Sequence, residues 1–291
     1  MTEFIQQVVY GISGGMNLAL VAVGLTLIFG VYKTLNLAHG QIFMFGAFVT
    51  YFLSTEHGVP FYAALVLSMI AMGLAGVLME GLVFRPLRRR PLTDQLLASL
   101  GLFLAIGTIA LHIWGDFQSR EIRMPGEDSA VTVGGVRFDV ARLEIIGGTI
   151  VLFALLYLLV YRTHIGRMMR AMAQDEEAAA LMGVRVNVVA SATFFVGSAL
   201  GGGAGAFLGA LFNAKWDMGF QPLLLALVII IFGGLGSIAG SIVAALIIGI
   251  MTTISIYYIS PTLADLLPFS VLLLVLLVRP RGLFGLHVSR A

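Results

Sequence analysis

The sequence predicts an all-α polytopic membrane protein, and three observations carry that expectation. Of its 291 residues, 59% are hydrophobic and only 11% are charged, whereas soluble domains carry about 25% charged residues. Several apolar runs approach the roughly 20 residues that a helix needs to cross a bilayer. Lysine and arginine collect mostly in alternate connections between those runs, the pattern that orients membrane helices. No stretch is left for a large extramembrane domain, so residues 1–291 are expected to form one membrane domain.

The first apolar span covers residues 7–31, with Gly11, Gly14, Gly15 and Asn17 near its start. Small residues there let neighbouring backbones approach closely. The second span, 41–53, is short and could begin at Asn36. Asn36, His39 and Gln41 therefore fall at a helix break. Irregular polar backbone at membrane depth is tolerated only where protein or a water-filled cavity surrounds it. These three residues, with Asn17, are candidates for a substrate pathway. The third span, 61–84, ends in the basic turn Arg85-Pro86-Leu87-Arg88-Arg89-Arg90-Pro91. Glu80 lies about one helical turn before Arg85 and can pair with an arginine there.

A fourth span covers 94–114. The polar interval 115–142 follows, and within it residues 130–140 alternate around Gly134-Gly135, the signature of a tight β-hairpin. A fifth span covers 143–161, and the sixth covers 187–212. Gly197, Gly201, Gly205 and Gly209 are each four apart in the sixth span, which aligns them into one smooth packing ridge. The apolar run 223–259 is too long for one crossing and is interrupted by Gly233-Gly234-Leu235-Gly236-Ser237-Ile238-Ala239-Gly240. It reads as two segments around a break, so Gly233, Gly234, Gly236 and Ser237 join the pathway candidates. The last span, 266–278, closes on Arg279-Pro280-Arg281-Gly282. The expectation is 8–10 membrane segments, about nine, some broken or re-entrant. A repeat pairing 18–53 with 223–259 follows from their shared helix–break–helix pattern, and discontinuous segments in matching positions point to a transport path.

Placing the segments after the first, third, fifth and last spans in the cytoplasm puts twelve of the seventeen Lys/Arg inside. Arg120, Arg123, Arg137, Arg142 and Lys215 remain outside. The positive-inside bias thus puts the N-terminus outside, the C-terminus in the cytoplasm and the hairpin on the extracytoplasmic side.

Most soluble chemistry is excluded. There are no cysteines, hence no thiol chemistry and no cysteine metal site. Lys33 and Lys215 are the two lysines, and neither stands in a phosphate-cradling glycine motif. The five histidines are scattered without metal-ligand spacing. No enzyme activity, metal or cofactor is expected in this chain, and no nucleic-acid partner. Ion-coupled carriers keep ionisable groups within the bilayer; here deep charges nearly vanish. That argues against a self-sufficient carrier and favours a conduit whose energy comes from elsewhere.

The polar interval 162–186 carries strong helix signals. Asp175 can cap a helix by accepting from free first-turn N–H groups. Glu176 and Glu177 then sit at the positive end of its dipole, Ala178 to Met182 are good helix formers, and Gly183 is a natural left-handed stop. A helix of about two turns is unstable alone and needs something to dock against. Three adjacent alanines offer a low-relief face, and Leu181 and Met182 an apolar end.

Arg-Ala-Met-Ala-Gln-Asp followed by Ala-Ala-Leu-Met-Gly resembles the coupling loop of the LivH-type permeases of branched-chain amino acid ABC importers. Further pieces occur in the family's order: Leu35-Asn36-Leu37-Ala38-His39-Gly40, Arg85-Pro86-Leu87-Arg88, Gly233-Gly234-Leu235-Gly236-Ser237 and Arg279-Pro280-Arg281-Gly282-Leu283-Phe284-Gly285. The resemblance covers almost the whole chain, and the compact N-terminus resembles LivH-type rather than LivM-type permeases. It implies a bacterial inner-membrane importer with a homologous LivM-type permease, two cytoplasmic ATPases using ATP and Mg, and an extracytoplasmic binding protein. It implies that Arg170, Gln174, Asp175, Glu176, Ala178, Ala179, Leu181, Met182 and Gly183 couple to the ATPases, and it opens a second role for the glycine ridge as a permease–permease interface. The implied cargo is leucine, isoleucine or valine; relatives of the family carry other amino acids, urea, short amides or small organic acids.

Overall fold

The structure is a computed structural model describing residues 2–115, 119–127, 129–134, 136–280 and 282–284. Helix α1 (Thr2–Tyr32) is followed by an irregular stretch and the shorter α2 (His39–Tyr51), which continues as a π-helical turn over Phe52–Glu56. Helix α3 (Phe61–Met79) runs through a second π-helical turn, Glu80–Phe84, into the single turn α4 (Arg85–Leu87). After α5 (Leu92–Trp114) come β1 (Ala130–Val133) and β2 (Val136–Asp139), then α6 (Val140–Arg162), α7 (His164–Gln174) and α8 (Glu176–Leu181). The chain ends with α9 (Val186–Phe212), α10 (Phe220–Gly233), α11 (Ile238–Tyr258) and α12 (Pro261–Val278). Among the described residues, seven helical runs are long and apolar enough to cross a membrane: α1, α3–α4, α5, α6, α9, α11 and α12. With the short α2 and α10 they make the multi-span all-α bundle expected from the sequence.

The hairpin is antiparallel, pairing Ala130 with Asp139 and Val133 with Val136. Gly134 takes φ +60° in its turn, a conformation that costs glycine little; Gly135 lies outside the described residues. So do Arg281, Gly285 and Arg290. Two helices begin earlier than their apolar patterns suggest, α1 at Thr2 and α12 at Pro261. Proline suits a first turn, where its missing N–H is an orphan anyway.

Helices α1 and α9 form the centre. For each, 72% of its most apolar stretch is buried, against 11% for α5 and α12. They run antiparallel: Tyr32 stacks edge-on against Phe194, and the Asn17 amide donates to the Ala204 carbonyl at 3.0 Å. Between those contacts the helices touch through glycine. A Cβ on Gly24 would lie 2.5 Å from the Gly197 carbonyl oxygen, and one on Gly197 would lie 2.7 Å from the Gly24 oxygen. Helix α11 packs on α1 where Gly249 meets Gly15, and α3 packs on α9 where Gly76 meets Ser198 and Gly202 meets Met72.

Two units of like construction emerge. In each, a long central helix leads to a break, a short helix and another long helix, and that last helix packs on the other unit's central helix. The units are α1–α2–α3 and α9–α10–α11, inverted because α1 and α9 are antiparallel. This corrects the repeat read from sequence. The partner of 18–53 is not 223–259, because the counterpart of the break before α2 is the non-helical segment before α10. Glycines 233–236 form an ordinary interhelical turn instead.

The basic segments gather at one end of the bundle. The Lys33 ammonium donates to the Ala173 carbonyl at 2.8 Å, Arg88 pairs with Glu176, and Gly30 lies against Gly236. The N–H of Leu283 donates to the Phe232 carbonyl at 2.8 Å. That convergence joins the connections after α1, α4, α6 and α12.

Candidate functional site

Two regions collect the candidate residues, one at the basic end and one inside the bundle. At the basic end the chain builds a two-helix projection. Thr163 caps α7 by accepting from Gly166 N–H at 3.1 Å. Helix α7 was not foreseen; it buries Met169 and Met172 against Val31 and Val189. Asp175 ends α7 and caps α8, its carboxylate accepting from Ala178 N–H at 3.0 Å. Helix α8 stops as a paired reverse turn: Val184 N–H donates to Ala179 and Gly183 N–H to Ala180, both at 3.0 Å, with Gly183 at φ +86°. This satisfies the last carbonyls of the helix.

The coupling candidates divide by exposure. Leu181 is 89% exposed and Met182 85%, the two most exposed large apolar side chains among the described residues. Gln174, Asp175 and Ala178 are exposed too. Ala179 is not: it is buried against the Met169–Met172 cluster. Ala178 and Ala180 are exposed on either side of α8, and Ala179 is the anchor between them. Arg170 also turns inward. Its guanidinium donates to the Val160 carbonyl and lies 5.1 Å from the Tyr161 ring centroid, fastening α7 to the end of α6.

Arg88 connects this projection to the membrane helices, a role the sequence did not announce. It lies 3.9 Å from the Glu176 carboxylate on α8 and 3.5 Å from Glu80, donates to Asn187 at 3.0 Å and stacks 4.6 Å from the Tyr32 ring centroid. Glu80 is fully buried in the π-helical turn. Arg85 grips it with two bonds of 3.2 and 2.6 Å, and Ser191 donates at 2.9 Å. The expected Glu80–arginine pair is thus present, bidentate and multiply bonded, as a buried carboxylate requires.

Inside the bundle, residues 33–38 run between α1 and α2. Lys33 turns the chain with φ +58°, uncommon for a residue with a Cβ. His39 then sits between Gly24 and Gly201, where added Cβ atoms would lie 3.1 and 3.0 Å from its ring. Gly24 is eight residues before Tyr32, so α2 starts about 12 Å inside the end of α1. Every pathway candidate here is buried. Asn36 donates to the Met79 sulfur at 3.4 Å, beside Glu80, and Gln41 donates to the Phe103 carbonyl at 3.0 Å. Yet Asn36 Oδ1, Gln41 Oε1 and both His39 nitrogens have no hydrogen bond of normal geometry, and His39 has only a backbone interaction with Val21. Such orphans are rare in a settled interior.

The start of α10 meets this break. A Cβ on Gly40 would lie 2.5 Å from the Gly219 carbonyl oxygen, so the first turns of α2 and α10 touch within the bundle. The Gly233–Ser237 group lies elsewhere, at the basic end. Gly234 and Gly236 take φ +104° and +83°, Ser237 caps α11 by accepting from Gly240 at 3.1 Å, and Phe284 N–H donates to Gly233 at 3.0 Å. The ridge Gly197, Gly201, Gly205 and Gly209 faces Gly24, His39, Phe43 and Ala47 in turn. It packs α9 onto α1 and α2 of the same chain, so it is not a face left for another permease.

A bundle of inverted broken-helix units, with polar groups held unpaired at a break and an exposed two-helix projection at one end, is the architecture of a multi-pass transport permease. The family described as branched-chain amino acid transport system, permease component, matches residues 7–276, and the chain belongs to it. It is 28% identical over 297 residues to the high-affinity branched-chain amino acid transport system permease protein LivH of Escherichia coli, covering 97% of this chain and 96% of that protein. It is 28% identical over 296 residues to the corresponding permease protein BraD of Pseudomonas aeruginosa, with the same coverage. The probable branched-chain amino acid transport permease protein LivH of Methanocaldococcus jannaschii is 26% identical over 284 residues, or 92% of this chain and 88% of the relative. No solved structure matches.

Proposed function

We propose that this chain is the LivH-type half of an ATP-driven importer for leucine, isoleucine and valine in the bacterial cytoplasmic membrane. Its N-terminus is outside and its C-terminus cytoplasmic, so the basic end faces the cytoplasm and residues 115–142 face out. A homologous LivM-type permease completes the path, two cytoplasmic ATPases bind ATP and Mg, and an extracytoplasmic binding protein delivers cargo. The relatives named for high-affinity branched-chain amino acid transport support the cargo.

The observation that carries the reading is the α7–α8 projection. It is capped at both ends and presents Leu181 and Met182 uncovered, flanked by Gln174, Asp175, Glu176 and Ala178. Gly183 ends it, while Ala179 and Arg170 hold it from behind. Motion of α8 reaches the membrane helices through Glu176, Arg88 and Glu80. Asn17, Asn36, His39 and Gln41 line the path, while Gly233, Gly234, Gly236 and Ser237 form the turn that joins α10 to α11 outside it.

The test is recovery of the tagged chain from its native membrane under mild extraction. Two ATPases and a second permease are expected to accompany it, and Leu181→Asp with Met182→Asp to release the ATPases while the chain still inserts. A double variant that keeps its ATPases and its leucine uptake would reject the docking role. Uptake of leucine by the chain alone in liposomes, driven by an ion gradient, would replace the importer with a carrier.

A further inference from the structure

An apolar cleft of about 330 Å³ opens between α3 and α5, with α2 as its floor. Helix α5 packs on α2 and leaves a gap towards α3. It is fastened to the break and to α2, by Leu37 N–H donating to Ser99 at 3.3 Å and by the Gln41–Phe103 bond. Ile42 and Phe45 line the floor of the cleft, Leu78 and Leu82 one wall, Leu102 and Ile106 the other. The lining holds no charged side chain, and Gln41 is its one polar residue. Along α3 and its π-helical turn the lining runs from Met72 to Val83, about 16 Å at the rise of a helix. One leaflet's hydrocarbon is about 15 Å deep, so depth and lining both suit an acyl chain.

A second feature closes the end of this cleft. The two walls are joined by the turn that carries Arg88, Arg89 and Arg90, between α4 and α5. Arg85 and Arg88 are committed to Glu80 and Glu176. Arg89 and Arg90 are exposed and form no ion pair among the described residues. Arg89 also borders the hollow that holds Glu176 and Glu177; Arg90 does not. Asp94, the acid in the first turn of α5, accepts only from Thr93, at 3.5 Å. Two uncommitted guanidiniums thus stand where an apolar slot ends. Guanidinium matches phosphate oxygens in pairs, and basic sites between membrane helices take anionic headgroups.

We propose that the cleft between α3 and α5 holds an acyl chain of an anionic phospholipid whose phosphate lies on Arg89 and Arg90. The lipid belongs to the leaflet at the basic end of the bundle. Its chain lies on Ile42 and Phe45, just beyond the break before α2, so it is seated inside the outline of the bundle and not merely around it. A zwitterionic lipid fills the same slot less well, because its ammonium offsets the attraction of the arginines. The proposal needs the membrane setting of the family and is independent of the cargo.

The probe is phosphatidylglycerol with a diazirine in one acyl chain, in nanodiscs that hold the complete transporter. After illumination, mass spectrometry maps the adducts, which are expected on Leu78, Leu82, Leu102 and Ile106. Unlabelled phosphatidylglycerol should suppress them about tenfold more effectively than phosphatidylcholine. Glycerol 3-phosphate, which has the phosphate and no chain, should leave them unchanged. Arg89→Gln with Arg90→Gln should remove the preference between the two lipids, and Arg89→Lys with Arg90→Lys should keep most of it. Ala75 lines the cleft, so Ala75→Phe should clear the adducts from Leu102 and Ile106 while adducts elsewhere on the chain remain, which a misfolded chain would not do. Equal suppression by both lipids would make the cleft ordinary lipid-facing surface and overturns the proposal. A cleft without adducts is filled by protein, and that overturns it as well. Suppression by glycerol 3-phosphate as strong as by the lipid overturns the seat for the chain.

Discussion

Two irregular segments interrupt the apolar pattern, residues 33–38 before α2 and 234–237 between α10 and α11. By sequence both are polar or glycine-rich breaks. In the structure they are opposites. The first enters the bundle and leaves Asn36, His39 and Gln41 with unsatisfied polar atoms. The second stays at the basic end, where Ser237 caps the next helix and Leu283 and Phe284 cover the carbonyls of Phe232 and Gly233. A break that closes its own hydrogen bonds is a turn. A buried break that does not is held open by the fold around it, at a cost of about 1–3 kcal/mol for each unsatisfied group. That difference separates the segment proposed for the path from one that reverses the chain.

The sharpest way to break this comparison is at its glycines. Gly40→Leu would drive a side chain into the Gly219 carbonyl and the Leu223 side chain. Its expected cost exceeds about 3 kcal/mol, so no monodisperse chain should survive detergent extraction. Gly236→Ala meets only the Gly30 Cα, at an ordinary contact distance of 3.7 Å, at a positive φ and should cost only about 1 kcal/mol, lowering the thermal midpoint by a few degrees. Equal tolerance of both would dissolve the distinction.

Next in size is Glu80→Gln. It removes the charge that holds Arg85 and Arg88 and is expected to cost about 3 kcal/mol. Because Glu80 adjoins the Met79 that Asn36 touches, leucine uptake should fall further than ATP hydrolysis in the assembled complex. A proportional fall in both would mean the pair serves stability alone.

Smaller effects sharpen the contrast. Asn36→Leu and His39→Leu should each slow uptake roughly tenfold at unchanged abundance in the membrane, whereas Ser237→Ala should leave uptake near normal and cost about 1 kcal/mol as a lost cap. Uptake that responds to Ser237 as strongly as to His39 would move the path to the second segment. The smallest change is Asp175→Ala, about 1 kcal/mol confined to α8, read as faster amide exchange of Ala178 with the rest of the bundle unaltered.

Much of this fold is legible in the sequence because apolar runs, glycine spacing and charge placement are strong one-dimensional signals. The hairpin around Gly134, the cap at Asp175 and the stop at Gly183 are local and were readable for that reason. Depth is not local. The glycines at 233–236 and the polar group 36–41 look alike until tertiary contacts put one at the end of the bundle and the other inside it. Helix α7 was hidden by arginines that read as loop, since Met169 and Met172 bury one narrow face only. Arg88 escaped notice as a connector because separate segments must fold together before Glu80, Glu176 and Asn187 meet it.

One further contact joins two connections of the bundle. Arg120 and Ala214 exchange two backbone bonds, of 2.9 and 2.8 Å, tying the loop that carries the hairpin to the segment that carries Asp217. That loop therefore has a short handle on the segment before α10. A displacement of residue 120 would pass to residue 214 directly, without first bending a transmembrane helix.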